Sequence, residues 1–197
     1  YLTCIVAGID DRLKVAVPVY GCGFLHENSC WKDKPLAAMN AGARERWIEN
    51  FDPSQYLGGV DCPILFLNGS NDFAYPLDSY QKSYRQVKGP MSLAVRIRLP
   101  HGHIWTFNEV DCFVDSVLKN GEPLPTLTPM KIKDGVATTS VASKLPVAKA
   151  ELNYTSEVGE WQKRLWKSVP AEMVNGKVKA RLPIDRPLVC YLSVTDR

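Results

Sequence analysis

Two residues of this chain are placed where acid–base chemistry could be assembled. Asp72 ends the polar run Asn68-Gly69-Ser70-Asn71-Asp72, which follows directly on an apolar stretch at residues 63–67. His101 sits in Pro100-His101-Gly102-His103, directly after residues 92–99, where Arg96 and Arg98 alternate with Val95, Ile97 and Leu99. An imidazole that takes a proton from a hydroxyl needs a carboxylate behind it, to fix its tautomer and to stabilise the imidazolium that forms. Loops after two consecutive strands deliver such a pair to one edge of a sheet when the strands run parallel with a helix between them. Each residue has a plainer reading alone, since Asn and Asp are common turn residues. The placement of Asp72 relative to His101 is what points to catalysis.

The nucleophile is missing from this set. No serine carries the flanking glycines of a G-x-S-x-G turn, and the chain order serine, acid, histidine puts that turn upstream. Residues 1–9 read as the helix that leaves it. The chain opens on Tyr1 and looks truncated, so the serine is expected before Tyr1 and the chain by itself is expected to be inactive. His26 and Glu27 follow the apolar run at residues 13–20 and are expected at the same edge, as candidates for substrate contact. A lone histidine is also often a hydrogen-bonded structural residue. Trp31, Trp47 and Trp105 could line a pocket for a sugar face or pack as core.

The elements that must position these groups are legible in outline. Residues 13–20 are apolar except for Lys14 and read as a buried strand in which Pro18 marks a bulge or an edge. Residues 24–56 read as short helices covering one end. Residues 77–87 read as a helix stopped by Lys88-Gly89-Pro90, and residues 92–99 as a strand. Asn108 is expected to cap a helix with Val110, Phe113, Val114, Val117 and Leu118 on one face. Strand, loop and helix alternate, which is an α/β pattern. Past Pro125 the pattern changes to short alternating runs broken by Asp134-Gly135, Asn175-Gly176 and Asp185-Arg186-Pro187. Strands are expected at residues 130–133, 136–141, 148–154, 162–169, 177–182 and 188–194. The expected division is residues 1–125 and residues 126–197, the second a small all-β sandwich.

Composition bounds the partners. With 45% hydrophobic and 23% charged residues the chain belongs with globular proteins rather than disordered ones, and its apolar runs are too short to span a bilayer. Net charge is +3, with 12 Lys and Arg against 14 Asp and Glu through Pro125, then 12 against 7. Those later cations alternate with apolar residues as on a solvated strand face, so no nucleic-acid partner is expected. Six scattered cysteines make neither a disulfide framework nor a zinc motif, although Cys22 and Cys30 share a loop. No metal or cofactor is expected, and the sequence leaves the oligomeric state open. Asn153-Tyr154-Thr155 and Asn68-Gly69-Ser70 match the glycosylation pattern and are read as chance.

Tyr1-Leu2-Thr3, Tyr20-Gly21-Cys22-Gly23-Phe24-Leu25, Asn68-Gly69-Ser70-Asn71-Asp72-Phe73-Ala74-Tyr75-Pro76 and Arg98-Leu99-Pro100-His101-Gly102-His103 together resemble bacterial α/β-hydrolases of the acetylxylan esterase-like or prolyl-oligopeptidase-like kind, related to dienelactone hydrolases. Phe113-Val114-Asp115-Ser116-Val117-Leu118 extends the resemblance, and Ala150-Glu151-Leu152-Asn153-Tyr154-Thr155 with Trp161-Gln162-Lys163-Arg164 looks like the β-sandwich some of them carry. The resemblance implies the C-terminal part of an α/β-hydrolase sheet with helices on both faces, followed by that sandwich. It implies Asp72 as acid and a histidine of the 101–103 loop as base. Relatives with H-G-x-G use the first histidine, which assigns His101. Here Ile104 and Trp105 stand where that pattern departs, and His103 remains a possible base or supporting residue. Cys22 has glycines directly beside it rather than two away, which is wrong for a thiol elbow.

The functional expectation is a serine hydrolase of the carboxylic (acetyl) esterase kind acting on a small-molecule or polysaccharide ester, and the resemblance implies the acylated polysaccharide substrate and export to the periplasm or the exterior. A prolyl-oligopeptidase-like peptidase shares the triad. A non-catalytic carbohydrate-binding protein is the third reading, favoured if the upstream elbow lacks its serine.

Overall fold

The computed structural model of the chain describes residues 1–102 and 106–197. Helix α1 (Leu2–Ala7) buries Cys4 and Ala7. Two single-turn helices, α2 (Leu25–Asn28) and α3 (Cys30–Asp33), lead to α4 (Ala41–Phe51), which Asn40 caps by accepting from the amide of Ala43. Two 3-10 turns, Pro53–Gln55 and Leu57–Gly59, lead into strand β1 (Ile64–Gly69), buried along its whole length. Helix α5 (Leu77–Tyr84) then returns the chain to β2 (Met91–Arg96), which pairs parallel with β1. Helix α6 (Asn108–Leu118) closes this half, with Phe113 its buried residue. It starts one residue earlier than expected: Phe107 holds the cap position and Asn108 is already helical.

Leu25, Leu57, Ile64, Phe66 and Tyr80 form the first core, where the Phe66 and Tyr80 rings meet edge to face at 5.7 Å. Burial of the Leu25, Leu57, Ile64 and Phe66 side chains contributes about 1.5–3 kcal/mol each. The expected α/β-hydrolase sheet with helices on both faces is not what this core supports. Among the described residues, parallel pairing is limited to β1 with β2 and two isolated bridges, Ala16 to Ile64 and Val19 to Leu67. Pro18 explains the interruption, because it has no amide proton to give and serves only as an acceptor for Leu67. Strand β2 stops at Arg96 because Arg98 turns to a positive φ of 51°.

The remaining strands are antiparallel. They are β3 (Thr126–Leu127), β4 (Lys131–Lys133), β5 (Val136–Ala142), β6 (Val147–Thr155), β7 (Lys167–Pro170), β8 (Glu172–Val174), β9 (Lys177–Arg181) and β10 (Val189–Asp196). One sheet has the order β10-β6-β7, and the other runs β3-β5-β9-β8 with β4 also on β5. Ala137 and Val178 of the second sheet pack against Leu152 and Leu192 of the first, with Leu182 completing a separate core. The strand expected at residues 162–169 is instead a 3-10 turn, Trp161–Lys163, followed by β7. No helix among the described residues is long and apolar enough to cross a membrane.

Candidate active site

The loop after β1 carries Asp72 in a fixed pose. One carboxylate oxygen, Oδ1, accepts from the backbone amides of Ala74 and Tyr75, both at 2.8 Å, while the side chain is fully buried. The second oxygen, Oδ2, lies 2.7 Å from Nδ1 of His101. A buried carboxylate with two amide donors is held without rotational freedom, and its remaining oxygen dictates which ring nitrogen of the imidazole faces it. With Nδ1 engaged, Nε2 is the nitrogen left for a substrate or a nucleophile. The His101 side chain is 31% exposed, so solvent and ligands reach it.

Three aromatic rings pack around that imidazole. Tyr20 lies 4.6 Å away between centroids, Phe73 5.1 Å and Tyr75 5.9 Å, the last nearly parallel to it. The Tyr20 hydroxyl donates to the carbonyl of Pro100 at 2.9 Å and so ties down the residue before His101. Burial raises the phenol pKa of both Tyr20 and Tyr75, which keeps them neutral donors across the ordinary pH range. Gly69 makes the approach of the two loops possible, since a Cβ there would come within 2.6 Å of the Leu99 carbonyl oxygen.

A second set of contacts holds the acid loop from outside. The Arg98 amide donates to Ser70 Oγ at 3.0 Å, and Ser70 Oγ donates to Asn71 Oδ1 at 2.7 Å. The Asn71 side-chain amide then donates to the carbonyls of Trp161, Gln162 and Arg164, the shortest at 2.6 Å. The residue beside the acid is therefore fastened to the turn that precedes β7. That role was invisible in the sequence, where Asn71 is one polar loop residue among several.

His26 and Glu27 lie on α2 and make other contacts. Nδ1 of His26 is 3.7 Å from Asp52, and Glu27 pairs with Lys82. Asp52 is another residue that sequence reading missed. Its buried carboxylate accepts from the amides of Phe24, Leu25 and Ser54 at 2.8–2.9 Å and so fixes the turn that starts α2. An Asp directly before Pro53, at a cap position, was the available signal. Trp31 and Trp47 stack on one another and on Tyr1, at 5.6–6.5 Å, and so spend their faces on packing rather than on a pocket. His103 and Trp105 lie outside the described residues. Cys22 and Cys30 are free thiols, and burial pushes Cys22 well above the usual thiol range, which suits a packed side chain and not a nucleophile.

Among the described residues, no group of three or more His, Cys, Asp or Glu side chains could hold a metal ion. The hydroxyls of Ser29, Ser79, Ser83 and Ser116 donate to the backbone carbonyls of Leu25, Phe24, Ser79 and Phe113. The geometry is thus an oriented carboxylate–imidazole pair in an aromatic surround.

Residues 7–164 match the family model described as PhoPQ-activated pathogenicity-related protein. No curated protein and no solved structure matches the chain. The resemblance to acetylxylan esterase-like and prolyl-oligopeptidase-like hydrolases is corrected by that match: its motifs are short loops, whereas the family model spans both the mixed half and the start of the antiparallel sheets. The chain belongs to the PhoPQ-activated pathogenicity-related protein family.

Proposed function

We propose that Asp72 and His101 are the acid and base of a serine hydrolase that cleaves carboxylic esters, acetyl esters of carbohydrate in particular, with the serine supplied by sequence preceding Tyr1. The observation that carries this is the 2.7 Å contact between Asp72 Oδ2 and His101 Nδ1, made by a carboxylate that two backbone amides already hold in place. The same constellation recurs on unrelated folds, so the reading rests on the site and not on the architecture.

In this reading His101 Nε2 accepts the serine proton as the oxygen attacks the acyl carbon, then returns it to the departing alcohol. Asp72 stays ionised throughout and stabilises the imidazolium. Access for the nucleophile is supported by the position of Tyr1, whose backbone nitrogen would lie 2.6 Å from a Cβ at Gly21, next to the Tyr20 that packs on His101. The aromatic surround suits an acyl group and one face of a sugar ring. Export to the periplasm or the exterior is part of the proposal, since acylated polysaccharide is an extracellular substrate.

The test uses the chain with its preceding sequence restored and p-nitrophenyl acetate as substrate. Asp72→Asn and His101→Ala should each lower kcat about 10⁴-fold while leaving the thermal transition within a few degrees of the parent. Retention of parent turnover by both variants would falsify the assignment.

A further inference from the structure

The register of the five-stranded sheet sorts its side chains into two faces. Ala137, Thr139 and Val178 are buried, so their neighbours along β5 and β9 point the other way. Pairing of Val136 with Arg181, Thr138 with Lys179 and Ser140 with Lys177 puts those three cations on the outer face. Lys131 pairs with Thr138 and Lys133 with Val136, which adds two more cations from β4. Glu172 and Val174 of β8 sit beside Lys179 and Lys177 on the same face. Lys131, Lys133, Lys177, Lys179 and Arg181 are all exposed, and Glu172 is the one carboxylate these pairings place among them. Among the described residues none of the five is in an ion pair.

Strand spacing turns this into a flat array. Neighbouring strands lie about 4.8 Å apart and alternate residues about 6.7 Å along a strand, so five like charges share a patch on the order of 10 by 13 Å. Such a field attracts a partner of opposite sign and repels cations. The chemistry of the remaining residues narrows the partner. The other outward residues that the pairings name are Val136, Thr138, Ser140, Glu172 and Val174, with no aromatic ring among them to stack a base or a sugar. The cations are spread in two dimensions rather than along a track, which fits a planar anionic surface better than a single polymer strand.

We propose that the outer face of the β3-β5-β9-β8 sheet, with β4, docks this protein on an anionic lipid surface without inserting into it. The patch is separate from the Asp72–His101 site, so docking and catalysis are independent claims.

The test measures co-sedimentation of the full chain with phosphatidylserine–phosphatidylcholine vesicles and with phosphatidylcholine alone at low ionic strength. Binding is expected only to the anionic vesicles and should fall as salt is raised. The triple variant Lys131→Gln, Lys179→Gln, Arg181→Gln should bind about a hundredfold more weakly, at about fivefold per charge removed. A control triple, Lys88→Gln, Lys119→Gln, Lys144→Gln, removes the same charge elsewhere and should bind nearly as the parent does. Absence of binding to anionic vesicles, or equal weakening by both triples, overturns the proposal. So does duplex DNA that competes the protein off the vesicles at comparable charge concentration, which would reassign the face to nucleic acid. All positions are exposed, and unchanged circular dichroism separates loss of binding from loss of fold.

Discussion

The half of the chain that builds the site and the antiparallel sheets that follow it use backbone conformation in opposite ways. In the sheets, positive φ falls on Asp134, Gly135, Asn175 and Gly176, residue types that tolerate it, at hairpin turns with Gly135 in open space. Around the site, positive φ falls on Tyr20, Phe24 and Arg98, large residues that resist it. The glycines there serve a different end: a Cβ at Gly23 would reach 2.3 Å from the Ser54 amide nitrogen, and one at Gly69 2.6 Å from the Leu99 oxygen, with no positive φ at either. Glycine makes room in one region and makes turns in the other. Strain is carried in the first by side chains whose contacts hold it, Tyr20 through Pro100 and the Phe24 amide through Asp52. Strain held by surrounding structure is what functional sites collect.

The largest effect that would break this comparison comes from the close-packed glycines. Gly69→Ala and Gly23→Ala should each lower unfolding free energy by about 3 kcal/mol or more in chemical denaturation, because backbone and not a flexible side chain stands in the way. Gly135→Ala should lose only about 1 kcal/mol, from φ alone. Equal losses at Gly69 and Gly135 would erase the distinction.

A middle-sized effect separates the regions by pH. Cys4 is fully buried in the first core, and burial lifts its thiol from 9.0 to about 11. The folded state therefore holds this proton more tightly than the unfolded chain. Its contribution is present in full below pH 9 and is lost as pH rises through about 11. The stability gap between parent and Cys4→Ala should narrow over that window, whereas it should stay constant between pH 6 and about 8. Thiol reagents should label the exposed Cys112 first and leave Cys4 and Cys22 unreacted until the chain unfolds.

The smallest effect sharpens the account of strain. Arg98 is exposed at φ 51°, so Arg98→Gly removes an unfavourable conformation and little packing. It should raise stability by about 0.5–1 kcal/mol, once the extra entropy of glycine in the unfolded chain is subtracted. A loss of stability instead would mean that the Arg98 side chain holds the loop, and not only its amide on Ser70.

How much of this was legible in the sequence depends on how far each feature reaches. The short range was readable: β1 from its apolar run, α5 from its composition and the hairpins from Asp134-Gly135 and Asn175-Gly176; one longer reach was readable too, the meeting of Asp72 with His101 across 29 residues, because loops after consecutive parallel strands share an edge. The sheet was over-read because an apolar run with one proline still looks like a strand, while Pro18 leaves only two bridges. Residues 162–169 misled for a similar reason, since alternation there belongs to a 3-10 turn and a short strand in sequence. The long-range roles of Asp52 and Asn71 stayed hidden because their partners, 28 and about 90 residues away, are backbone groups of turns, and no rule of strand and loop order brings those together. The aromatic surround of His101 was hidden likewise, being drawn from Tyr20, Phe73 and Tyr75 on two separate segments.

The Asn71 amide clasp has a consequence for how the protein is made. Its three acceptors are carbonyls at residues 161–164, so a nascent chain emerging from the ribosome exposes the segment bearing Asp72 long before its anchor exists. Until Arg164 has cleared the exit tunnel, that amide faces water. The carboxylate's setting is thereby completed only once synthesis has passed residue 164, and a product cut short before that point would carry every residue of the pair with one of its two loops unfastened.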